Sequence, residues 1–106
     1  MAKTTKFDCI IVGVGGQGSI FASRVLGEAA VREGYDVISA ELHGMAQRGG
    51  TVEVHVRIGS SFGPLISLRS ADALVGIEPA ECLHFARHLS SKGTAILNTT
   101  PVLPQV

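Results

Sequence analysis

The sequence predicts an α/β fold with a Rossmann-like open, mostly parallel sheet and flanking helices. Short apolar runs alternate with amphipathic stretches, which is the pattern of strands alternating with helices. Glycine-rich turns follow two of the apolar runs, at residues 13–18 and 43–50. The 106 residues, 45% of them hydrophobic, are enough for a single domain with its own core.

The first part of the chain predicts one β-α-β unit. Residues 8–12 are an apolar run that ends in glycine, which predicts a strand buried on both faces. Residues 17–33 predict a helix, and Gly34 provides its C-terminal stop because glycine accepts a positive φ. Residues 35–41 predict the second strand. The expected apolar face of the helix consists of Ile20, Phe21, Val25, Leu26, Ala29 and Ala30.

In the next segment, the spacing of the apolar residues changes. Apolar residues at 52, 54, 56 and 58 alternate with Glu53, His55 and Arg57, which predicts a strand with one solvated face. A turn at residues 59–64 leads to residues 65–68, which could pair back with that strand as one β-hairpin.

The C-terminal part predicts a strand, a helix and a last strand. Residues 73–77 form another buried apolar run. Pro79 is well suited to the first turn of a helix, and Gly93 is expected to end that helix before a short strand at residues 95–97. Its expected inner face consists of Cys82, Phe85, Ala86 and Leu89.

Composition excludes several classes of function. Nine basic and nine acidic residues give no net charge, which indicates neither nucleic-acid nor membrane binding. No apolar run approaches the roughly 18 residues of a membrane span, and no signal peptide is evident, so we expect a cytoplasmic protein. Cys9 and Cys82 lack metal-ligand spacing, and the four histidines form no recognisable metal or catalytic set, so we expect neither.

The first glycine-rich turn has the spacing of a dinucleotide-binding fingerprint. Gly13, Gly15 and Gly18 follow a strand and open a helix, whose N-terminal amides favour an anion. Gly16 and Gln17 complete the turn, and Glu41 lies near the position of an acid that accepts a ribose hydroxyl. The alternative is a turn that needs glycine for its geometry only, or that faces a protein partner.

The second turn adds a cation. Arg48 could hold a carboxylate or a phosphate through two parallel hydrogen bonds. The glycines after it would allow a ligand or another chain to approach the backbone closely. Because loops at the carboxyl ends of parallel strands meet at one edge, the two turns predict one composite site. From this loop, the candidate residues are His43, Gln47, Arg48, Gly49 and Gly50.

These two loops resemble the gamma-type domain of the 2-oxoacid:ferredoxin oxidoreductases. The matching segments are 13–18, 41–50 and 54–57, and the segments 71–81 and 93–101 fit the same family. The His-Gly-Met-Ala-Gln-Arg-Gly-Gly segment most resembles the beta subunit of indolepyruvate ferredoxin oxidoreductase. The resemblance implies a single gamma-type domain over residues 1–106, forming the N-terminal part of a longer family domain.

The resemblance implies an accessory subunit that is inactive alone. Such an enzyme oxidatively decarboxylates a 2-oxoacid, of indolepyruvate, arylpyruvate or pyruvate type, to an acyl-CoA and passes electrons to ferredoxin. Thiamine diphosphate and iron–sulfur clusters would belong to an alpha-type catalytic partner, with coenzyme A as co-substrate and no cofactor bound by this chain alone. Two alternatives remain open, namely a stand-alone Rossmann-type nucleotide-binding module and a homodimer that buries an open sheet edge.

Overall fold

The computed structural model describes residues 5–14, 18–43, 50–59 and 63–99. In chain order, the strands are β1 (Phe7–Val14), β2 (Val37–His43), β3 (Thr51–Ile58), β4 (Ala71–Gly76) and β5 (Leu89–Leu97). The helices are α1 (Ser19–Arg32) and α2 (Pro79–His84), and a 3₁₀ turn at Ala86–His88 follows α2. None of these helices in the described part of the chain is long and apolar enough to cross a bilayer.

The strands form one sheet in the order β2-β3-β1-β4-β5. Strand β1 pairs in parallel with β4, and β4 pairs in parallel with β5, whereas β3 is antiparallel to both β1 and β2. Four strands therefore run in one direction and β3 runs in the other. The predicted α/β class with a mostly parallel sheet is confirmed. The antiparallel neighbours β2 and β3 are consecutive in the chain, as in a hairpin.

Strand β1 lies at the centre of the sheet and is buried on both faces. Ile10 and Val12 pack on the side of α2, while Cys9 and Ile11 pack on the side of α1. The two helices therefore cover opposite faces of the sheet, which is the arrangement that a continuous apolar run predicts.

The buried face of helix α1 matches the predicted one only in part, because Ile20, Leu26 and Ala30 pack against the sheet. Ser19, Ser23 and Ala30 are buried, whereas Phe21 and Val25 are 73% and 53% exposed. Small residues at these spacings allow the helix axis to approach the sheet closely, and this turns the two large side chains outward. The predicted stop is confirmed, because Gly34 has a φ of 94°.

The predicted solvated face of β3 is wrong. His55 is 3% exposed, and the Arg57 side chain is only 12% exposed. Arg57 Nε and Nη2 donate to the two carboxylate oxygens of Asp8, at 3.1 and 3.3 Å, and the Asp8 side chain is 1% exposed. Paired charges on adjacent strands therefore replace contact with water on this face.

Residues 63–70 lie over this face and form no strand, so the hairpin predicted at residues 65–68 is wrong. Arg57 Nη1 donates to the carbonyl oxygens of Gly63 and Leu65, each at 3.0 Å. The Ile66 amide donates to His55 Nδ1 at 2.9 Å, and the Ile66 side chain is buried. The polar side chains of β3 thus provide the hydrogen bonds that a paired strand would have provided.

Helix α2 is shorter than predicted. It begins at Pro79, as expected, but it ends at His84, and Leu89 already belongs to β5. Gly93 lies within that strand, at an irregularity where pairing with β4 passes from Leu89 to Thr94. A Cβ on Gly93 would lie 2.8 Å from the carbonyl oxygen of Ala71, so sheet pairing, and not a helix end, requires this glycine.

Candidate functional site

Both glycine-rich loops leave the sheet at the same edge. Val14, the last residue of β1, is paired with Thr51, the first residue of β3. His43, the last residue of β2, is paired with Val52. Paired residues on adjacent strands lie about 5 Å apart, so the end of the second loop is next to the start of the first.

The geometry differs from the predicted one in one respect. Strands β1 and β2 are not neighbours, because β3 lies between them. Their carboxyl ends are therefore about two strand spacings apart, roughly 10 Å. The antiparallel strand β3 places the end of the second loop, at Gly50, beside the end of β1.

The structure describes five of the eleven predicted site residues. Gly13 lies in β1 opposite Val52, and Gly18 is the N-cap of α1 with a φ of 92°. Gly50 immediately precedes β3, and Glu41 and His43 lie on β2. The remaining six lie outside the described residues: Gly15, Gly16, Gln17, Gln47, Arg48 and Gly49.

Glu41 and His43 point to the same side of β2. Glu41 Oε2 lies 3.5 Å from His43 Nε2, and both side chains are largely exposed. The pair forms an ion pair only when the imidazole is protonated. Glu41 is opposite Val54 and two residues from the end of β2, so it is farther from the edge than the sequence predicts.

A hydrogen bond connects the beginning of β3 to α2. Thr51 Oγ1 donates to Glu81 Oε2 at 2.7 Å, next to the end of β1. Glu78 is buried and caps α2, because its carboxylate accepts from the Ala80 amide at 2.8 Å. Sequence reasoning missed the hydrogen bond between Glu81 and Thr51, because a contact between residues 30 positions apart leaves no local signal.

The N-terminus of α1 lies at the same edge. Sequence reasoning did not single out Ser19, the first residue of the helix. Its side chain is buried, and its Oγ atom has no hydrogen-bond partner among the residues that the structure describes. A buried unpaired hydroxyl is unusual in a native protein and has no signature in a single sequence.

His55 has a defined tautomer. Because its Nδ1 accepts from the Ile66 amide, its Nε2 bears the proton and donates to Glu53 Oε2 at 2.8 Å. In the described part of the chain, no three His, Cys, Asp or Glu side chains are grouped closely enough to hold a metal ion. His55 therefore has a structural role, in which it holds the segment that contains Ile66.

The two cysteines are free thiols buried on opposite faces of the sheet. Burial raises the pKa of Cys9 to about 11, and it also raises the pKa of Cys82. Ionised thiolates are the nucleophilic and metal-binding form of cysteine. Both side chains therefore act as small hydrophobic groups at neutral pH.

The raised pKa of Cys9 predicts a loss of stability at alkaline pH. The unfolded thiol ionises near 9.0 and the folded thiol near 11, so the unfolded state releases its proton first, and rising pH favours unfolding between these values. We expect the Cys9 contribution to fall by about 2 kcal/mol between pH 8 and 10.5. Urea unfolding of the wild type and of Cys9→Ala at both pH values gives the change in the free energy of unfolding that depends on Cys9. Equal losses in the two proteins would contradict the prediction.

Comparison with known proteins gives a consistent result. A family model described as pyruvate ferredoxin/flavodoxin oxidoreductase matches residues 8–106. Indolepyruvate oxidoreductase subunit IorB of Archaeoglobus fulgidus is 48% identical over 99 residues, which are 93% of this chain and 49% of that relative. The chain thus spans about half the length of this curated relative.

Two solved structures share the fold. The pyruvate oxidoreductase subunit PORC of Thermotoga maritima has a TM-score of 0.70 and 28% identity, with 94% of this chain and 53% of that chain covered. The gamma subunit of a keto/oxoacid ferredoxin oxidoreductase of Geobacter sulfurreducens has a TM-score of 0.72 and 26% identity, with 93% and 54% covered. The resemblance inferred from the two loops is therefore confirmed, and this chain belongs to the pyruvate ferredoxin/flavodoxin oxidoreductase family.

Proposed function

We propose that this chain is an accessory, non-thiamine subunit of a 2-oxoacid:ferredoxin oxidoreductase. The observation that supports this most directly is the 48% identity to an IorB subunit across nearly the whole chain. Identity to the pyruvate subunit PORC is 28%. This difference favours indolepyruvate or another arylpyruvate over pyruvate as the 2-oxoacid.

In the proposed complex, thiamine diphosphate and the iron–sulfur clusters belong to an alpha-type catalytic partner, which passes electrons to ferredoxin. The positions of the cysteines support this division of roles. An iron–sulfur cluster needs about four thiolate ligands. This chain has two cysteines, and they lie in the hydrophobic core on opposite faces of the sheet.

The proposed role of the sheet edge is to face the partner and coenzyme A. Both loops leave the sheet at this edge, where the hydrogen bond from Thr51 to Glu81 fixes the beginning of β3 against α2. Arg48 is the proposed ligand of a phosphate or carboxylate. The other ten predicted site residues remain the proposed surface around it.

The alternative function, a stand-alone dinucleotide-binding module, has less support. In the dinucleotide-binding fold, the strand with the ribose-binding acid is next to β1. In this chain β3 lies between β1 and β2, so Glu41 is two strand spacings from the first glycine-rich turn. An adenosine bound at that turn would therefore be displaced from the acid.

Co-expression with a thiamine-containing alpha-type subunit from the same genome tests the proposal. We expect the two chains to co-purify and the complex to reduce a viologen dye with indolepyruvate and coenzyme A, while neither chain does so alone. A mixture that never associates, or a complex that oxidises no 2-oxoacid, would contradict the proposed function. Faster turnover with pyruvate would contradict the arylpyruvate assignment.

Within that complex, Arg48→Ala is expected to raise the KM for coenzyme A about tenfold, because a charge-assisted hydrogen-bonding group is lost. Arg32→Ala is the matched control, since Arg32 is exposed at the opposite end of α1 and pairs with Glu28. An unchanged KM in Arg48→Ala would assign this arginine to another role. A loss of association would indicate that it binds the partner chain.

A further inference from the structure

Residues 63–70 form a strap over the polar face of β3, and a single buried side chain anchors it. That side chain is Ile66, which packs into the core on the α2 side of the sheet, and it is the only buried residue of the strap. Leu65 and Leu68 are 51% and 55% exposed. Segments with so few buried contacts open locally at a lower free energy than the core of a protein.

The hydrogen bonds that hold the strap differ in their response to pH. Arg57 donates to two of its carbonyl oxygens, and arginine does not lose its proton in proteins. The Arg69 amide donates to the Arg87 carbonyl at 3.0 Å, and neither backbone group titrates. The Ile66 amide donates to His55 Nδ1 at 2.9 Å. Among these bonds, the one between Ile66 and His55 is the bond that a proton can break.

The two nitrogens of the His55 ring have opposite preferences for a second proton. Nδ1 accepts from the Ile66 amide, so a proton on Nδ1 would place two N–H groups against each other. Nε2 donates to Glu53 Oε2 at 2.8 Å, and a carboxylate at this distance stabilises an imidazolium. The closed strap therefore requires a neutral ring, whereas an open strap also permits the charged one. Because the open state binds more protons, lower pH favours it.

Other charged and titratable groups surround His55 on this face. Arg57 is bonded to Asp8 of β1, and Glu81 of α2 accepts from Thr51. The ring of His88, in the 3₁₀ turn, lies edge-on to the His55 ring with 6.3 Å between centroids. A proton on His88 would disfavour a proton on His55, so a test must distinguish the two rings. The full set consists of Glu53 and Arg57 from β3, Asp8 from β1, Arg69 from the strap, Glu81 from α2, and Arg87 and His88 from the 3₁₀ turn.

We propose that His55 is a pH-sensitive switch for the strap. Protonation of Nδ1 breaks the hydrogen bond to the Ile66 amide and releases the middle of the strap from β3. The bonds from Arg57 remain, so the opening is centred on Ile66 and exposes the side chains of Glu53 and His55 to solvent. The switch is a property of this chain alone and does not depend on the proposed function.

Native-state hydrogen exchange of the ¹⁵N-labelled 106-residue chain tests the proposal between about pH 7.5 and about pH 5.5, where histidine titrates. We expect the protection factor of the Ile66 amide to fall by up to about tenfold per pH unit, the limit for one coupled proton. The protection factor of the Ile10 amide, in the central strand, should change less and serves as the internal reference. The ring ¹⁵N resonances of His55 report its protonation in the same samples.

Variants assign the proton to a residue. In His55→Asn, the side-chain oxygen replaces Nδ1 as acceptor and does not titrate, so the protection of Ile66 should become independent of pH. Glu53→Gln keeps the imidazole but removes the carboxylate, so opening should require a lower pH. His84→Asn is the matched control, since the His84 side chain is 73% exposed, and it should behave as the wild type does.

Constant protection of Ile66 across this range would overturn the proposal, as would an equal fall in His55→Asn and the wild type. A pH dependence that disappears in His88→Asn while His55 stays neutral would assign the proton to the other ring and equally refute it. If His55→Asn does not fold, the shift expected in Glu53→Gln decides, and an unshifted response there contradicts the proposal. Parallel losses of protection at Ile66 and Ile10 would indicate global unfolding and exclude a local switch.

Discussion

Replacing Arg57 with methionine is expected to lower the free energy of unfolding by about 3–5 kcal/mol. The change leaves the Asp8 carboxylate, 1% exposed, without its bidentate partner. Among the described residues, the remaining cation is Lys6, whose Nζ lies 3.5 Å from Asp8 Oδ2. It also removes both hydrogen bonds from Arg57 Nη1 to the carbonyl oxygens of Gly63 and Leu65. Urea unfolding followed by circular dichroism measures the change.

The control for Arg57→Met is Arg32→Met. Arg32 also pairs with a carboxylate, that of Glu28 at 3.0 Å, but their side chains are 79% and 68% exposed. Exposed pairs contribute about 0.5 kcal/mol or less, so the control should be nearly neutral. The double variant Asp8→Leu/Arg57→Met removes both buried charges and should be less destabilised than Arg57→Met. Similar losses for Arg57→Met and Arg32→Met would refute the assigned role of the buried pair.

Replacing Gly59 with alanine is expected to destabilise the fold by about 2–4 kcal/mol. Gly59 has a φ of 93°, which L-residues rarely adopt. Its added Cβ would also collide with the backbone carbonyl of Thr5 and lie 3.0 Å from the Lys6 Cα. Neither obstacle is the end of a flexible side chain, so relief requires the chain before β1 to move.

Gly63→Ala is the matched control for Gly59→Ala. A Cβ on Gly63 would meet nothing within 4 Å, and its carbonyl oxygen would remain available to Arg57. Thermal unfolding compares the melting temperatures of the two variants. Gly59→Ala introduces backbone strain and a collision, whereas Gly63→Ala introduces no collision. A Gly59→Ala protein that melts at the same temperature as Gly63→Ala would show that the N-terminal segment yields without cost.

Local signals were sufficient where the chain itself imposes the structure. The apolar run of β1 predicted a strand buried on both faces, because alternate side chains point to opposite sides. Gly34 and Pro79 predicted a helix end and a helix start, since their backbone preferences do not depend on distant contacts. The paired loops predicted the family, and this prediction is confirmed.

Local signals failed where a distant contact changed the environment of a residue. Glu53, His55 and Arg57 have the alternation of a solvated face, but the segment around Ile66 covers them and Asp8 neutralises Arg57. Leu89 continues a helical pattern, but pairing with β4 makes it the first residue of β5. In the first case a loop segment covers the polar face of a strand, and in the second the pairing of the sheet outweighs local helical propensity.

The amino-acid sequence alone determined the fold class, the presence of two glycine-rich loops after strands, and the family to which they belong. The tertiary structure alone decided that β3 separates β1 from β2 and that a loop segment covers its polar face. The physical reason is that strand order and side-chain pairing depend on contacts between residues far apart in the chain. Such contacts form only when the whole sheet assembles.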